Sequence, residues 1–418
     1  MFALIFFGVC QAVRHDERVV AEACASRVPG WAAYGDEIMA SEAPAQGKRG
    51  LAYVARLPQT QHKDLNASVP RVVFAVVRRG DARRIRQTLR EGAVAASAAA
   101  KGCAPRIYYA GGLGDNSSRV MTITEMAGDR VGADFLRETD ARLARRFGRL
   151  LACFHGLVLD DPAAAPATLR GWLGAASVGA VDDRGALVGA YAAKIAKYWW
   201  PPVRDSRAAE DRFSRIFDFA FERAAAWTTS RLAAAPVTVH DDVHVGNILA
   251  RALAPGNPPD LRLIDYENAH RGGAIADLAP YSRCCRDRTN VRAMLGAYHE
   301  ARFREAPSRG EVERALFDLE VGLAMQMLDT LPKCRRVEAD QGLDWACPSS
   351  RAPEDVPPDV HAHLDLVEAT FAAIDDAARG DDALRADIVD RGVLAAAAGR
   401  SGSTTATPPR QLRTRARG

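Results

Sequence analysis

Val237-Thr238-Val239-His240-Asp241-Asp242-Val243-His244-Val245-Gly246-Asn247-Ile248-Leu249 is an apolar strand that enters a polar loop and leaves it as a second apolar run. After the turn-forming Pro255-Gly256-Asn257-Pro258-Pro259 comes Leu261-Arg262-Leu263-Ile264-Asp265-Tyr266-Glu267. Two short apolar segments separated by a Pro/Gly turn predict a β-hairpin. Its open end then holds Asn247, where one strand begins, beside Asp265, where the other finishes. Asp242 precedes Asn247 in the same loop. An amide oxygen and two carboxylates converging in this way suit Mg²⁺, which takes hard oxygen ligands and only one or two carboxylates besides phosphate oxygens.

A lone D-x-x-x-x-N is a weak signal, because Asp and Asn at strand ends usually form turns. The whole string is far more specific: an apolar strand into H-x-D-x-H-x-G-N-I-L, then L-I-D-Y-E. In phosphoryl transfer an Asp accepts or orients the proton of the attacking hydroxyl, and an Asn with a later strand-borne Asp holds the metal. Such a reaction needs mainly positioning and charge neutralisation. Asp242 is therefore the catalytic candidate, and Asn247 and Asp265 are the metal candidates. His240 and His244 stand four residues apart with no third His or Cys ligand nearby, so they read as packing and hydrogen-bonding residues of the loop.

Working outward, residues 16–28 read as a helix ending near Pro29-Gly30-Trp31. Leu51–Leu57 and Arg71–Val77 have the β-branched density of strands. Asp81–Lys101 reads as an Ala-rich helix capped by Gly102. Strands are expected at Arg106–Ala110 and Val120–Glu125, and Gly128 closes this small first unit. Beyond it Leu143, Phe147, Leu150, Leu151 and Phe154 recur along one face of an amphipathic helix. Further helices are expected near 183–199, 207–232, 289–305, 310–331 and 359–379, with an irregular loop over 333–358. The predicted architecture is α+β and bilobal. It has an N-lobe over 1–128, a helical C-lobe carrying the hairpin over 129–380, and a tail over 381–418 whose Ser/Thr/Pro/Arg-rich end is expected to be disordered.

At 418 residues the chain exceeds what one core usually organises. A net charge of +4 gives no case for nucleic acid. Eight scattered cysteines, none in a C-x-x-C pair, argue against a zinc site and fit a reducing compartment, so a cytoplasmic location is expected. The apolar start, Met1 to Val13, lacks a basic leader region and is too short to span a bilayer. It is expected to be a buried element.

At the hairpin residues the sequence resembles the choline/ethanolamine kinase family within the aminoglycoside phosphotransferase-like, protein-kinase-like superfamily. HDDVHVGNIL is similar to that superfamily's catalytic loop and LIDYENA to its metal-binding strand. Asp277 falls where the family places a structural Asp. Val28–Trp31, the stretch 45–58, and Leu150–Gly156 (LLACFHG) also resemble family segments. The helix around Glu91 resembles the one whose Glu pairs the ATP-binding cation. Thr124-Glu125-Met126 with Gly128 resembles the segment whose backbone holds adenine.

The resemblance implies a bilobal kinase-like fold that uses ATP and Mg²⁺ to phosphorylate a hydroxyl of a small-molecule alcohol, with no nucleic-acid partner and no membrane span. It assigns Glu125 and Met126 to the nucleotide base. The family's strand cation is absent, since the stretch reads Phe74-Ala75-Val76-Val77. Of the nearby Arg78 and Arg79, Arg78 is assigned with Glu91 to the phosphates.

The acceptor side departs further. The family's His and tryptophans are replaced on the helix Leu323–Asp329, which has no aromatic, and its Asn-His-Phe by Pro280-Tyr281-Ser282. Tyr198-Trp199-Trp200 and Trp345 could furnish aromatics from elsewhere. Glu267 and Asp329 could bind a primary ammonium, so an amino alcohol is one acceptor class. An aminoglycoside or sugar is the alternative, favoured by His244 and Gly246. A catalytically weak nucleotide-binding protein is the other.

Overall fold

A computed structural model describes residues 16–43, 50–57, 69–113, 116–131, 140–159, 169–180, 207–252, 259–285, 287–330 and 360–397. The predicted helix at 183–199, the loop at 333–358, Trp199, Trp200, Trp345, the segment 45–49 and the residues after 397 lie outside these.

The N-terminal part is one antiparallel sheet between two helical layers. Helix α1 (16–27) is followed by strands β1 (Met39–Glu42), β2 (Leu51–Arg56) and β3 (Val72–Arg79). Helix α2 (Ala82–Ala100) then leads to β4 (Ile107–Leu113) and β5 (Asn116–Glu125). The sheet order is β1-β2-β3-β5-β4. Alternation along β3 decides its two faces. Val73, Ala75 and Val77 point to a core shared with Val20, Cys24, Trp31 and Tyr53 under α1. Val72 and Phe74 pack with Ala52 and Val54 on the opposite face. Asp81 caps α2, its side chain accepting from the Arg84 N–H at 2.9 Å, and Gly102 at φ +82° ends it as expected.

The connection to the second part runs through Gly128, whose φ of +123° only glycine adopts readily. A Cβ there would also collide with the carbonyl of Ala250. Next, β6 (Asp129–Arg130) pairs with Leu249–Ala250, so the crossing segment is bonded directly to the predicted hairpin.

The helical part contains α3 (Ala141–His155), α4 (Leu169–Ser177) and α5 (Arg207–Trp227). Then come strands β7 (Val237–Val239), β8 (Ile248–Arg251), β9 (Asp260–Leu263) and β10 (His270–Gly272). Helices α6 (Ile275–Cys284), α7 (Arg288–Phe303), α8 (Arg309–Thr330), α9 (Val360–Ala378) and α10 (Asp382–Arg391) complete it. The predicted stripe on α3 is the buried one, with Phe147, Leu150, Leu151 and Phe154 in the main core. Gly148 lets α7 approach so closely that a Cβ would strike the Met294 carbonyl oxygen. Among the described residues no helix is long and apolar enough to cross a membrane.

Two differences from the sequence reading concern extent. The third strand continues two residues past Val77 and so includes Arg78 and Arg79. The helical part also runs beyond 380, because α10 and the turn after it are packed in: Leu384, Ile388, Val393 and Ala396 are buried, and Val393 N–H donates to Glu320 Oε2 at 2.9 Å. The Ser/Thr/Pro-rich composition that marks the tail begins only later, whereas 382–397 carries a core face.

Candidate active site

The predicted hairpin forms. Ile248 is opposite Leu263 and Arg251 opposite Asp260, so Asn247 and Ile264 are the next residues at its open mouth. The mouth is closed by Ile264 N–H donating to the Asn247 carbonyl at 3.0 Å. Asp265 follows at φ 67°, a left-handed conformation that Asp tolerates better than bulky residues and that turns the chain away from the strand. Asn247 is buried, and its Nδ2 donates to the Asp242 carbonyl at 3.1 Å and to Asp242 Oδ2 at 3.3 Å. With its amide nitrogen turned to Asp242, the Asn247 side-chain oxygen points the other way. Asp242 remains partly open, its side chain 38% exposed, with His244 Nε2 3.6 Å from Oδ2. His244 Nδ1 accepts from Gly246 N–H at 3.0 Å, fixing the turn that delivers Asn247.

A buried carboxylate holds the loop from behind. Asp277 on α6 accepts His240 N–H at 2.6 Å and Asp241 N–H at 2.8 Å, and His155 Nε2 lies 2.9 Å from Oδ2. Burial works against its charge, but the His155 hydrogen bond, His155 and His240 nearby and the His240 N–H prevail, and its pKa is lowered to about 2. The other His155 nitrogen meets Tyr298 Oη at 2.7 Å. His240 donates through Nε2 to the Ile264 carbonyl at 2.8 Å and sits beside the rings of Phe154 and Tyr266. Both histidines of the hairpin string thus bond within the loop and hairpin. Sequence reasoning noted Asp277 and the F-H-G ending but not that they are one assembly, because the contact spans 122 residues.

Opposite the hairpin, Arg78 clasps Glu91 through both terminal nitrogens, with Nη2 3.2 Å from Oε1. Burial would lower the Arg78 pKa, but the Glu91 hydrogen bond and the charges of Glu91, Asp265 and Glu267 raise it. Burial raises the Glu91 pKa against the pull of Arg78, and Asp265 and Glu267 add to the rise. Those two carboxylates are thus within electrostatic reach of the pair. Arg79, one residue on, faces the other way and binds Asp16 Oδ2 at 2.5 Å. Strand alternation alone distinguishes the two arginines. Arg90, which the sequence reading gave no role, donates to the Ala269 carbonyl at 2.7 Å and fastens α2 to the segment after Asp265.

At the end of β5, Glu125 N–H donates to the Arg106 carbonyl at 2.8 Å and its side chain accepts from Arg106 N–H at 3.0 Å. Met126 beside it is a large apolar side chain left 46% exposed. Glu267 follows Tyr266, which is buried and stacks on Phe154 with ring centroids 5.5 Å apart. Asp329 lies in the last turn of α8, and its side chain is outside the described residues. Tyr281 is a core residue stacked on Phe147 at 5.2 Å.

The donor set is consistent with Mg²⁺ rather than a nitrogen- or thiolate-bound metal. Among the described residues no three His, Cys, Asp or Glu side chains cluster as a self-sufficient site. One carboxylate and one amide oxygen leave coordination positions for phosphate oxygens and water, which is how Mg²⁺ is usually held beside a nucleotide.

The sequence model of the phosphotransferase enzyme family matches residues 53–313. None of the curated proteins matches the chain. Among solved structures, a choline/ethanolamine kinase family protein from Mesorhizobium loti is 14% identical, with 90% of this chain and 97% of that one covered and a TM-score of 0.44. A macrolide 2'-phosphotransferase from Brachybacterium faecium is 13% identical, with 82% of this chain and 99% of that one covered and a TM-score of 0.45.

Proposed function

The chain belongs to the phosphotransferase enzyme family, and from that premise we propose that it moves the γ-phosphoryl group of ATP onto a hydroxyl of a small molecule, with Asp242 receiving the hydroxyl proton. The observation that carries this reading is the mouth of the hairpin. Asn247 is bonded by its side chain to Asp242 and by its carbonyl to the residue before Asp265. The Asp242–Asn247 side-chain contact and the backbone just before Asp265 are thereby held at one loop and strand end.

Asp242 is the exposed member, suited to meet an acceptor, while Asn247 is buried and rigid. Asn247 and Asp265 would hold Mg²⁺, which when bound neutralises phosphate charge and helps orient the nucleotide. Arg78, aimed by Glu91, would bind phosphate oxygens. The purine would lie against Val54, Phe74 and Met126, with the backbone of Glu125–Met126 at its edge. The His155–Asp277 assembly positions the loop and touches no reactant.

For the acceptor, an amino alcohol of the ethanolamine kind fits best. Glu267, with Asp329 assigned from sequence alone, supplies negative charge for an ammonium group. Leu323–Leu328 of α8 offers no aromatic ring for a quaternary one. The experiment is ADP release measured with ethanolamine, choline and a set of aminoglycosides. Stimulation by ethanolamine above choline supports the reading. Stimulation by aminoglycosides alone replaces the acceptor and keeps the chemistry, and no acceptor-dependent release from any hydroxyl compound overturns the proposal.

A further inference from the structure

We propose that Arg271 and Arg302 bind a small oxyanion carrying a short apolar group, in a cavity built against the support of the catalytic loop rather than at the hairpin mouth. The cavity holds about 260 Å³ and is lined from the end of α3, from β7 and β10, and from the end of α7. That volume is at the small end of ligand sites, enough for a molecule of a few carbons and too small for a nucleotide. Asp242, Asn247, Asp265 and Arg78 are not among its lining residues, so it is a second site.

The charge of the cavity has one sign. Arg271 is exposed and Arg302 half-buried, and among the described residues neither forms an ion pair and no carboxylate lines the cavity. Two guanidinium groups on one small space repel each other, and an anion between them turns that repulsion into attraction. Their planar forks match the oxygens of a phosphate or a carboxylate. The other polar side chains of the lining are already engaged. Thr238 Oγ1 donates to the Leu157 carbonyl at 2.7 Å, and the His155 nitrogens meet Tyr298 and Asp277. Recognition of a charged group therefore falls to the two arginines. Leu157, Leu159, Pro236 and Val237 supply apolar wall, and Val158 beside them stands 83% exposed, which gives an apolar group attached to the anion a surface to cover.

The walls are parts of the loop's support. Arg271 is paired across strands with Thr238, two residues before His240. Arg302 lies one turn beyond Tyr298 on α7, and the Tyr298 hydroxyl meets His155 Nδ1 at 2.7 Å. His155 in turn meets Asp277, which accepts the His240 and Asp241 N–H groups. A ligand held by both arginines would tie β10 to α7 across the residues that anchor the catalytic loop. The proposal stands whatever the acceptor is, and its test does not depend on turnover.

The full chain is titrated by calorimetry with butyl phosphate, with butyrate and with 1-butanol, and amide hydrogen exchange is mapped by mass spectrometry with and without each anion. The expected result is saturable binding of at least one anion, none of 1-butanol, and slower exchange within 155–159, 236–239 and 270–272. The tighter anion identifies the head group as phosphate or carboxylate. Arg271→Gln and Arg302→Gln should each weaken that binding about tenfold or more, while Arg78→Ala should leave it unchanged. The proposal is overturned if neither anion binds, if 1-butanol binds as well as the anions, or if either glutamine variant binds like wild type. Loss of binding in Arg78→Ala would also overturn it, by placing the anion at the nucleotide phosphates. The wild-type exchange map decides even if a glutamine variant fails to fold.

Discussion

The guanidinium of Arg78 holds the Glu91 carboxylate with both terminal nitrogens, Nη2 at 3.2 Å from Oε1, and so joins β3 to α2 within electrostatic reach of Asp265 and Glu267. Arg78 lies just past Phe74-Ala75-Val76-Val77, the stretch where the resemblance places the strand cation. The pair forms because β3 runs two residues further than its β-branched core and alternation turns Arg78, not Arg79, to the face shared with Phe74. The side chains are mostly shielded, 20% and 13% exposed, so their geometry is held rather than merely permitted.

Arg78→Ala should weaken nucleotide binding by about tenfold or more, equivalent to ~1.4 kcal/mol. Glu91→Gln should act in the same direction by a smaller factor, because the arginine stays but loses its aim. Arg79→Ala, which breaks only the contact to Asp16, should leave nucleotide affinity near wild type. Titration of nucleotide followed by calorimetry distinguishes the three. Equal effects of Arg78→Ala and Arg79→Ala would remove Arg78 from the phosphate site.

Asp242→Asn keeps the volume and can still meet Asn247 but cannot take a proton. Turnover should fall by about 10²–10⁴ while the melting temperature changes little. A variant with full activity and intact fold would eliminate the general-base role.

Asp277 makes stability pH-dependent in acid. Its pKa is 3.8 when unperturbed and is lowered to about 2 in the fold, so the folded state binds its proton less readily than the unfolded state. The resulting stabilisation, about 2 kcal/mol, is complete above roughly pH 4 and is lost as pH falls toward 2. Urea unfolding across that range should show the slope in wild type and a shallower one in Asp277→Asn. An identical slope in both would assign the acid loss to other groups.

Gly171 on α4 abuts the buried Asp241 side chain, and a Cβ there would stand 2.5 Å from Asp241 Oδ2. Because Asp241 is fully buried and its backbone is tied to Asp277, the clash must move the loop. Gly171→Ala should therefore cut turnover more than nucleotide affinity and cost about 1–3 kcal/mol of stability. Steady-state kinetics with a thermal melt would show it, and unchanged turnover would mean that α4 yields instead.

The hairpin was legible because its signals are local. Alternating apolar residues, a Pro/Gly turn and the D-x-x-x-x-N spacing fall within 31 residues, 237–267. The helix stripe on α3 and the cap Gly102 were equally local. What escaped depends on distant partners. The short strands β1, β6 and β10 exist through pairing rather than composition. Arg90 acquires its role from a carbonyl 179 residues away, and α10 did not stand out past residue 380 because its apolar residues are spread around the helix, with Leu384, Ile388 and Val389 buried.

Calorimetric titration of Mg·ATP into wild-type protein and into Asp265→Ala tests the central claim most directly. Wild-type protein should bind saturably and in a Mg²⁺-dependent manner at or below millimolar nucleotide, and Asp265→Ala should bind at least tenfold more weakly or not at all. No binding to the wild type at millimolar nucleotide, or equal Mg²⁺-dependent binding to both proteins, would contradict it.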